Sequence, residues 1–223
     1  MDTLYNIGFI SEFIAAISAT IFFYKYKHTE LLWLLPLLWY IPINEILCQK
    51  VFGPSSTGYI LYNIYRIIVP LSLLLIISSQ LKVKNSKYFA VVVIALFALG
   101  VVLDLTFTSV TTEFLNHSLT FSSILIVIML LRYFVEELQS DNVLMLKKNL
   151  FLWVSFGFLT FHIAYPVIVL AEQYLINGNN ELRINLYKIH LFVIITSYLF
   201  IAFAFYWSNK IPHSNTHLLK KDD

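Results

Sequence analysis

Cysteine occurs once in this chain, at position 48. That excludes an internal disulfide and any cysteine-based metal cluster. Charge is scarce too: Asp, Glu, Lys and Arg make up 13% of the residues, where a soluble domain carries about 25%. No Lys or Arg precedes Lys25, so the start MDTLYN lacks the basic n-region of a cleavable signal peptide. The first apolar stretch also contains Glu12 and has no clear small-residue cleavage site, so it reads as a membrane helix. Catalytic signatures are missing: no HExxH or HxxxH pattern lies in an apolar stretch, and there is no G-x-S-x-G elbow or glycine-rich phosphate loop. No internal repeat of the transporter kind is visible.

What the chain does have is apolar surface. Of its 223 residues 59% are hydrophobic, and the mean hydropathy is +0.76. This is a membrane composition. A membrane helix needs roughly 20 mostly apolar residues. The expected fold is therefore an all-α seven-helix bundle occupying 1–208, with spans near 7–26, 31–49, 58–80, 88–108, 117–138, 149–174 and 184–208. A polar tail, 209–223, follows, and no room is left for a separate soluble domain. Turn signals at Gly53-Pro54-Ser55-Ser56 and Asn177-Gly178-Asn179-Asn180 precede the third and seventh spans. Aromatic residues reach 17%, which suits membrane interfaces and tight packing. Trp33, Trp39, Trp153 and Trp207 are expected at interfaces or in the core.

Basic residues predict an orientation. Lys25, Lys27, Lys82, Lys84, Lys87, Arg132, Lys147, Lys148, Lys210, Lys220 and Lys221 fall on one side of the seven crossings, and only Lys50 and Arg183 on the other. The positive-inside rule then puts the N-terminus outside and the C-terminus in the cytoplasm. The segment 132–148 either extends the fifth helix or lies on the inner surface. Ala15, Ala16, Ala19 and Thr20 offer a small-residue packing face. Pro36, Pro42, Pro70 and Pro166 are expected to bend or loosen their helices.

Ionisable residues inside the spans are costly and mark functional candidates. Orientation converts their positions into depth. Glu12, Asn44, Glu45, Asn63, Arg66, Asp104, Lys188 and His190 fall in the outer half, with His162 near mid-membrane and Glu172 at the outer mouth. Tyr59, Tyr62, Asn63, Arg66 and Pro70 share one helical face. Arg66 should face the bundle and find a carboxylate among Glu45, Glu12 and Asp104, either as a structural ion pair or as part of a binding site.

The embedded acids outnumber the bases, so the expected cavity is net acidic. It suits a proton, a metal ion, or a cationic or zwitterionic ligand. Arg66 and Lys188 are the candidates for anionic groups. His162, three residues before Tyr165-Pro166, is expected to donate to a backbone carbonyl beside the bend. His190 shares a face with Tyr187, Ser197 and Tyr198, a stripe that reads as an interhelical hydrogen-bond seam. His117 and Ser118 start the fifth span, at the interface.

Zinc hydrolysis would require three converging His or carboxylate ligands from different helices. A retinal protein is disfavoured, because Lys188 lies near the outer end and Arg66 stands where a counterion is wanted. A channel or proton-coupled carrier fits poorly with inner halves that read SSILIVIMLL and IITSYLFIAFAF.

The segments YNIYRIIVPLSLLL, KKNLFLWVSFGFLTFHIAYPV and IFFYKYKHTE resemble a family of small bacterial seven-helix membrane proteins. That resemblance implies a sensory role in the cytoplasmic membrane beside a histidine kinase, and no catalytic residues. The expectation is thus a receptor-like protein without a cofactor. It sits in the lipid bilayer, with a small ligand or ion in its outer cavity and a cytoplasmic signalling partner such as a histidine kinase. The alternatives are an intramembrane lipid-modifying enzyme, with or without a metal, and a proton-coupled transporter.

Overall fold

The computed structural model describes residues 2–140, 147–175 and 180–209, apart from the side chains of Asp2, Lys50 and residues 172–175. The turn at 177–179, the middle of the 132–148 segment, the side chains of Lys50 and Glu172, and Lys210, Lys220 and Lys221 of the tail lie outside the described residues.

Among the described residues seven α-helices form: α1 Asp2–Ile21, α2 Leu34–Ile46, α3 Ser56–Gln80, α4 Lys84–Phe107, α5 Asn116–Leu138, α6 Leu150–Leu175 and α7 Asn180–Trp207. With the turns that extend α2, all seven are long and apolar enough to cross a membrane. No strand occurs among the described residues. Large hydrophobic side chains are exposed along every helix, far beyond the apolar patches a soluble monomer tolerates. The protein is an all-helical, multi-pass membrane bundle.

The first span differs from the expected 7–26. α1 ends at Ile21, and Phe23–Lys25 forms a 3-10 turn that buries Tyr26, whose hydroxyl donates to the Ala19 carbonyl at 2.8 Å. The prolines act unequally. Pro42, Pro70 and Pro166 lie within helices. Pro36 falls in the first turn of α2, where its missing N–H costs nothing. Beyond Pro42, α2 widens into a π turn at Leu47–Val51.

Helix neighbours run α1, α2, α3, α5, α6, α7 and back to α1, while α4 packs on α3 and α5 from outside. The pattern of α4 explains its place. Its buried residues, Ser86, Ala90, Val93, Phe97, Val101 and Asp104, recur every three or four positions as one narrow stripe. One stripe serves one crevice, and the rest of the helix is apolar surface. Both ends of α4 are tied to α5. Asp104 accepts from the Ser118 N–H and hydroxyl at 2.7 Å each and from the Thr108 hydroxyl at 3.0 Å. At the other end Glu136 accepts from the Lys82 N–H at 2.9 Å, and Glu137 pairs with Lys82 Nζ at 2.6 Å.

Three of the four small residues of α1 pack as read: Ala15, Ala16 and Ala19 are fully buried, and α1 packs closely along α7 and α2, while Thr20 is exposed and accepts from Trp39 Nε1 at 2.9 Å. The end of α7 is fixed from two sides. Lys25 Nζ donates to the carbonyls of Phe205, Tyr206 and Ser208 at 2.7, 3.2 and 2.6 Å. Lys148 Nζ donates to the Trp207 carbonyl at 3.1 Å and sits 3.6 Å over the Trp207 ring. Cations belong at helix C-termini, where carbonyls lack intrahelical partners. Burial, and then the neighbouring Lys148, push the Lys25 amine below its ordinary value; the three carbonyls oppose that loss of its proton. Trp153 and Trp207 both donate to the Lys147 carbonyl, at 3.0 and 2.8 Å.

Candidate functional site

Within the six-helix ring lies a cavity of about 520 Å³. Its wall comes from α1, α2, α3, α5, α6 and α7, and no residue of α4 reaches it. From Tyr187 to Ile201 the lining of α7 covers 15 residues, or about 21 Å along the axis. The cavity thus begins at the end where α1, α3, α5 and α7 start and continues past mid-helix.

Six of the nine candidate residues line it: Glu12, Asn44, Glu45, Arg66, His162 and His190. The other three do not. Asp104 faces the α4–α5 contact, where it caps α5. Asn63 clamps the connection before α5: its amide donates to the Val110 and Glu113 carbonyls at 3.1 and 2.8 Å and accepts from the Leu115 N–H at 2.9 Å. Lys188 is exposed on the outer side of α7. Residues at similar depth can therefore point to different neighbours, which is why depth alone misplaced these three.

Arg66 also departs from expectation. Among the described residues it lies within 4.0 Å of no carboxylate; the ion pair at that range is Lys82–Glu137. Its Nη1 donates to Asn116 Oδ1 at the start of α5. The guanidinium sits 5.0 Å from the centre of the Tyr62 ring and 4.7 Å from that of Phe114, so aromatic faces carry part of the load a counterion would take. Arg66 Nε is buried and makes no hydrogen bond.

The carboxyls cluster without it. Glu12 on α1 and Glu45 on α2 line the same part of the cavity wall, together with Tyr5. Tyr5 donates to Glu45 Oε1 at 2.9 Å, and Gln49 donates to the same oxygen at 3.1 Å. Glu12 Oε2 is buried without a hydrogen bond. Gln49 belongs to the π turn, so the widened end of α2 helps to shape this cluster.

His162 bonds through Nδ1 to the Ser123 hydroxyl of α5 at 3.1 Å, not to a backbone carbonyl. The partner comes from α5 because α6 packs against it. His190 stands beside the rings of Phe161 and Tyr165. The stripe Tyr187, His190, Ser197 and Tyr198 lines the cavity, and Ser197 Oγ makes no hydrogen bond, so at that position the stripe is wall and not seam. Tyr5, Asn116 and Gly157 also line the cavity and were not singled out in the sequence. Asn116 could have been noticed as a side-chain amide beside Arg66's depth at the start of a span; Tyr5 and Gly157 carry no such signal.

Among the described residues no three His, Cys, Asp or Glu side chains gather closely enough to hold a metal ion. The donor set for zinc chemistry is therefore not assembled by them. No family model, curated protein or solved structure matches the chain.

Proposed function

We propose that this chain is a receptor-like, sensory membrane protein whose ring cavity binds a small ligand or ion and biases the packing of the surrounding helices. The observation that carries this reading is the cavity wall itself. Charged and polar groups from separate helices meet there at polar distances, while unpaired polar atoms remain buried in it. A concave site of a few hundred cubic ångströms, largely apolar with a few convergent polar groups, is the ordinary form of a ligand pocket.

Charge distribution supports an orientation. Lys25, Lys27, Lys82, Lys84, Lys87, Arg132, Lys147 and Lys148 sit near the end of the bundle where α1, α3 and α5 finish. By the positive-inside rule that end is cytoplasmic, the N-terminus is outside and the cavity opens on the outer half. The resemblance to small bacterial seven-helix proteins supports a place in the cytoplasmic membrane and a histidine kinase as partner. The cytoplasmic connections are the surface such a kinase would contact. Coupling requires the ligand to bind two helix packings unequally.

The neighbouring genes discriminate: a histidine kinase beside this one would support sensing, and lipid-metabolism enzymes would support the rival reading of an intramembrane enzyme. The direct test reconstitutes the protein with such a kinase in vesicles and follows autophosphorylation. Filling the cavity by Ser197→Trp should shift the kinase activity. An unchanged rate, in a variant that remains folded, sinks the sensory reading.

A further inference from the structure

Glu12 and Arg66 are 6% and 7% exposed, line the same cavity, and each keeps a buried polar atom without a hydrogen bond, Oε2 and Nε. They are opposite in charge, yet Arg66 is within 4.0 Å of no carboxylate among the described residues. Water can satisfy a lone hydroxyl, but a buried ion without a counter-charge is costly. Different helices hold the two signs apart: Arg66 on α3, Glu12 and Glu45 on α1 and α2.

The spare groups have a definite chemistry. The hydrogen bond of Arg66 uses Nη1. That leaves the Nε–Nη2 edge, whose two parallel N–H groups match a carboxylate or phosphate. Glu12 and Glu45, on α1 and α2, supply the acidic side of the same wall on which Arg66 is the basic group. A pure cation would leave Arg66 uncompensated, and a pure anion would leave the carboxyls so. Farther along α6 and α7 the wall turns apolar, with Phe158, Ile194 and Ile201.

Resting on the ligand-site reading above, we propose that the cavity takes an amphiphilic zwitterion. Its protonated amine meets Glu12 and Glu45, its carboxylate or phosphate meets the free edge of Arg66, and its apolar part lies toward Phe158 and Ile201. Two sources carry this chemistry: a free α-amino acid with an apolar side chain, and the aminoethyl phosphate headgroup of a phospholipid.

The test measures equilibrium binding of labelled L-phenylalanine to the purified wild-type protein, with phenethylamine and 3-phenylpropionate as analogues that keep one charge each. In parallel, native mass spectrometry follows lipid retained from nanodiscs of phosphatidylglycerol with and without phosphatidylethanolamine. At least one zwitterion should be held, with each single-charge analogue weaker by about tenfold or more, the loss of one charged contact worth about 1.4 kcal/mol. Arg66→Gln and Glu12→Gln should each lower retention of that zwitterion by a similar factor. Retention of phenylalanine assigns the free source, and retention of phosphatidylethanolamine assigns the lipid; either supports the proposal. Phenethylamine or phenylpropionate binding as tightly as the zwitterion overturns it and leaves the ligand-site reading standing. No retention of any of these probes also overturns it, and the ligand-site reading is then judged by the kinase assay with Ser197→Trp alone. The analogue series on the wild-type chain decides the matter even if a variant fails to fold.

Discussion

Gly157 of α6 faces the Ser197 carbonyl of α7 with no space for a side chain: a Cβ at 157 would stand 2.8 Å from that oxygen and 2.6 Å from Ile201 Cγ1. Backbone cannot yield as a side chain does. Gly157→Ala should therefore destabilise the bundle by ~1–3 kcal/mol, as overpacking does, and lower the melting temperature in detergent. Gly100 is the control. A Cβ there meets Phe121 Cδ1 at 2.8 Å, and a phenyl ring on the lipid-facing side can rotate away. Gly100→Ala should cost clearly less; an equal loss would remove backbone contact as the cause.

Lys25 gives a second prediction. Replacing it with Met keeps the apolar stem and deletes the hydrogen bonds to Phe205, Tyr206 and Ser208. Bonds from a charged donor contribute ~1.5–3 kcal/mol, so Lys25→Met should lower stability by about that much. Amide exchange should rise at the end of α7, at Tyr206 to Asn209. Unaltered exchange there would show that the ammonium is not the cap.

Asp104 separates structure from site. Asp104→Ala removes the acceptor for Ser118 and Thr108 and should cost ~1–2 kcal/mol, as lost helix caps do. Because Asp104 does not line the cavity, binding of any cavity ligand by the folded fraction should match wild type. The exposed Lys188 should behave in the same way under Lys188→Ala, without the stability loss. A binding defect in either variant would require a cavity different from the one described.

Orientation is open to chemical labelling. Cys48 is the lone cysteine, so Cys48→Ser supplies a blank background. Thr111 and Lys84 are exposed at opposite ends of the bundle. A membrane-impermeant maleimide on intact cells should label Thr111→Cys and spare Lys84→Cys until the membrane is broken. The reverse pattern would invert the proposed topology.

The spans were readable because hydrophobic length is a one-dimensional property. α3, α5 and α6 begin or end within two residues of the expected limits, while α1 ends early because Tyr26 and Lys25 fold back on the helix ends. Neighbour relations were less readable. Nothing in a depth estimate distinguishes Asp104, turned toward α5, from Glu12, turned into the ring. The stripe on α4 did hold that information, since a helix with one narrow buried face cannot also line a central cavity. The partner of Arg66 was missed for another reason. Burial calls for compensation, but two aromatic rings and an amide supplied it in place of a carboxylate.

The contact between Lys25 and the last turn of α7 has a mechanical consequence. One short turn after the first helix grips the final helix by its free carbonyls, so the ring is stapled at its base. At the opposite rim Glu12, Glu45 and Arg66 form no ion pair among the described residues, and single hydrogen bonds join α1 to α2 and α3 to α5 there. A ring held by an ammonium at its base thus leaves the opposite charges at its rim for the proposed ligand to bridge.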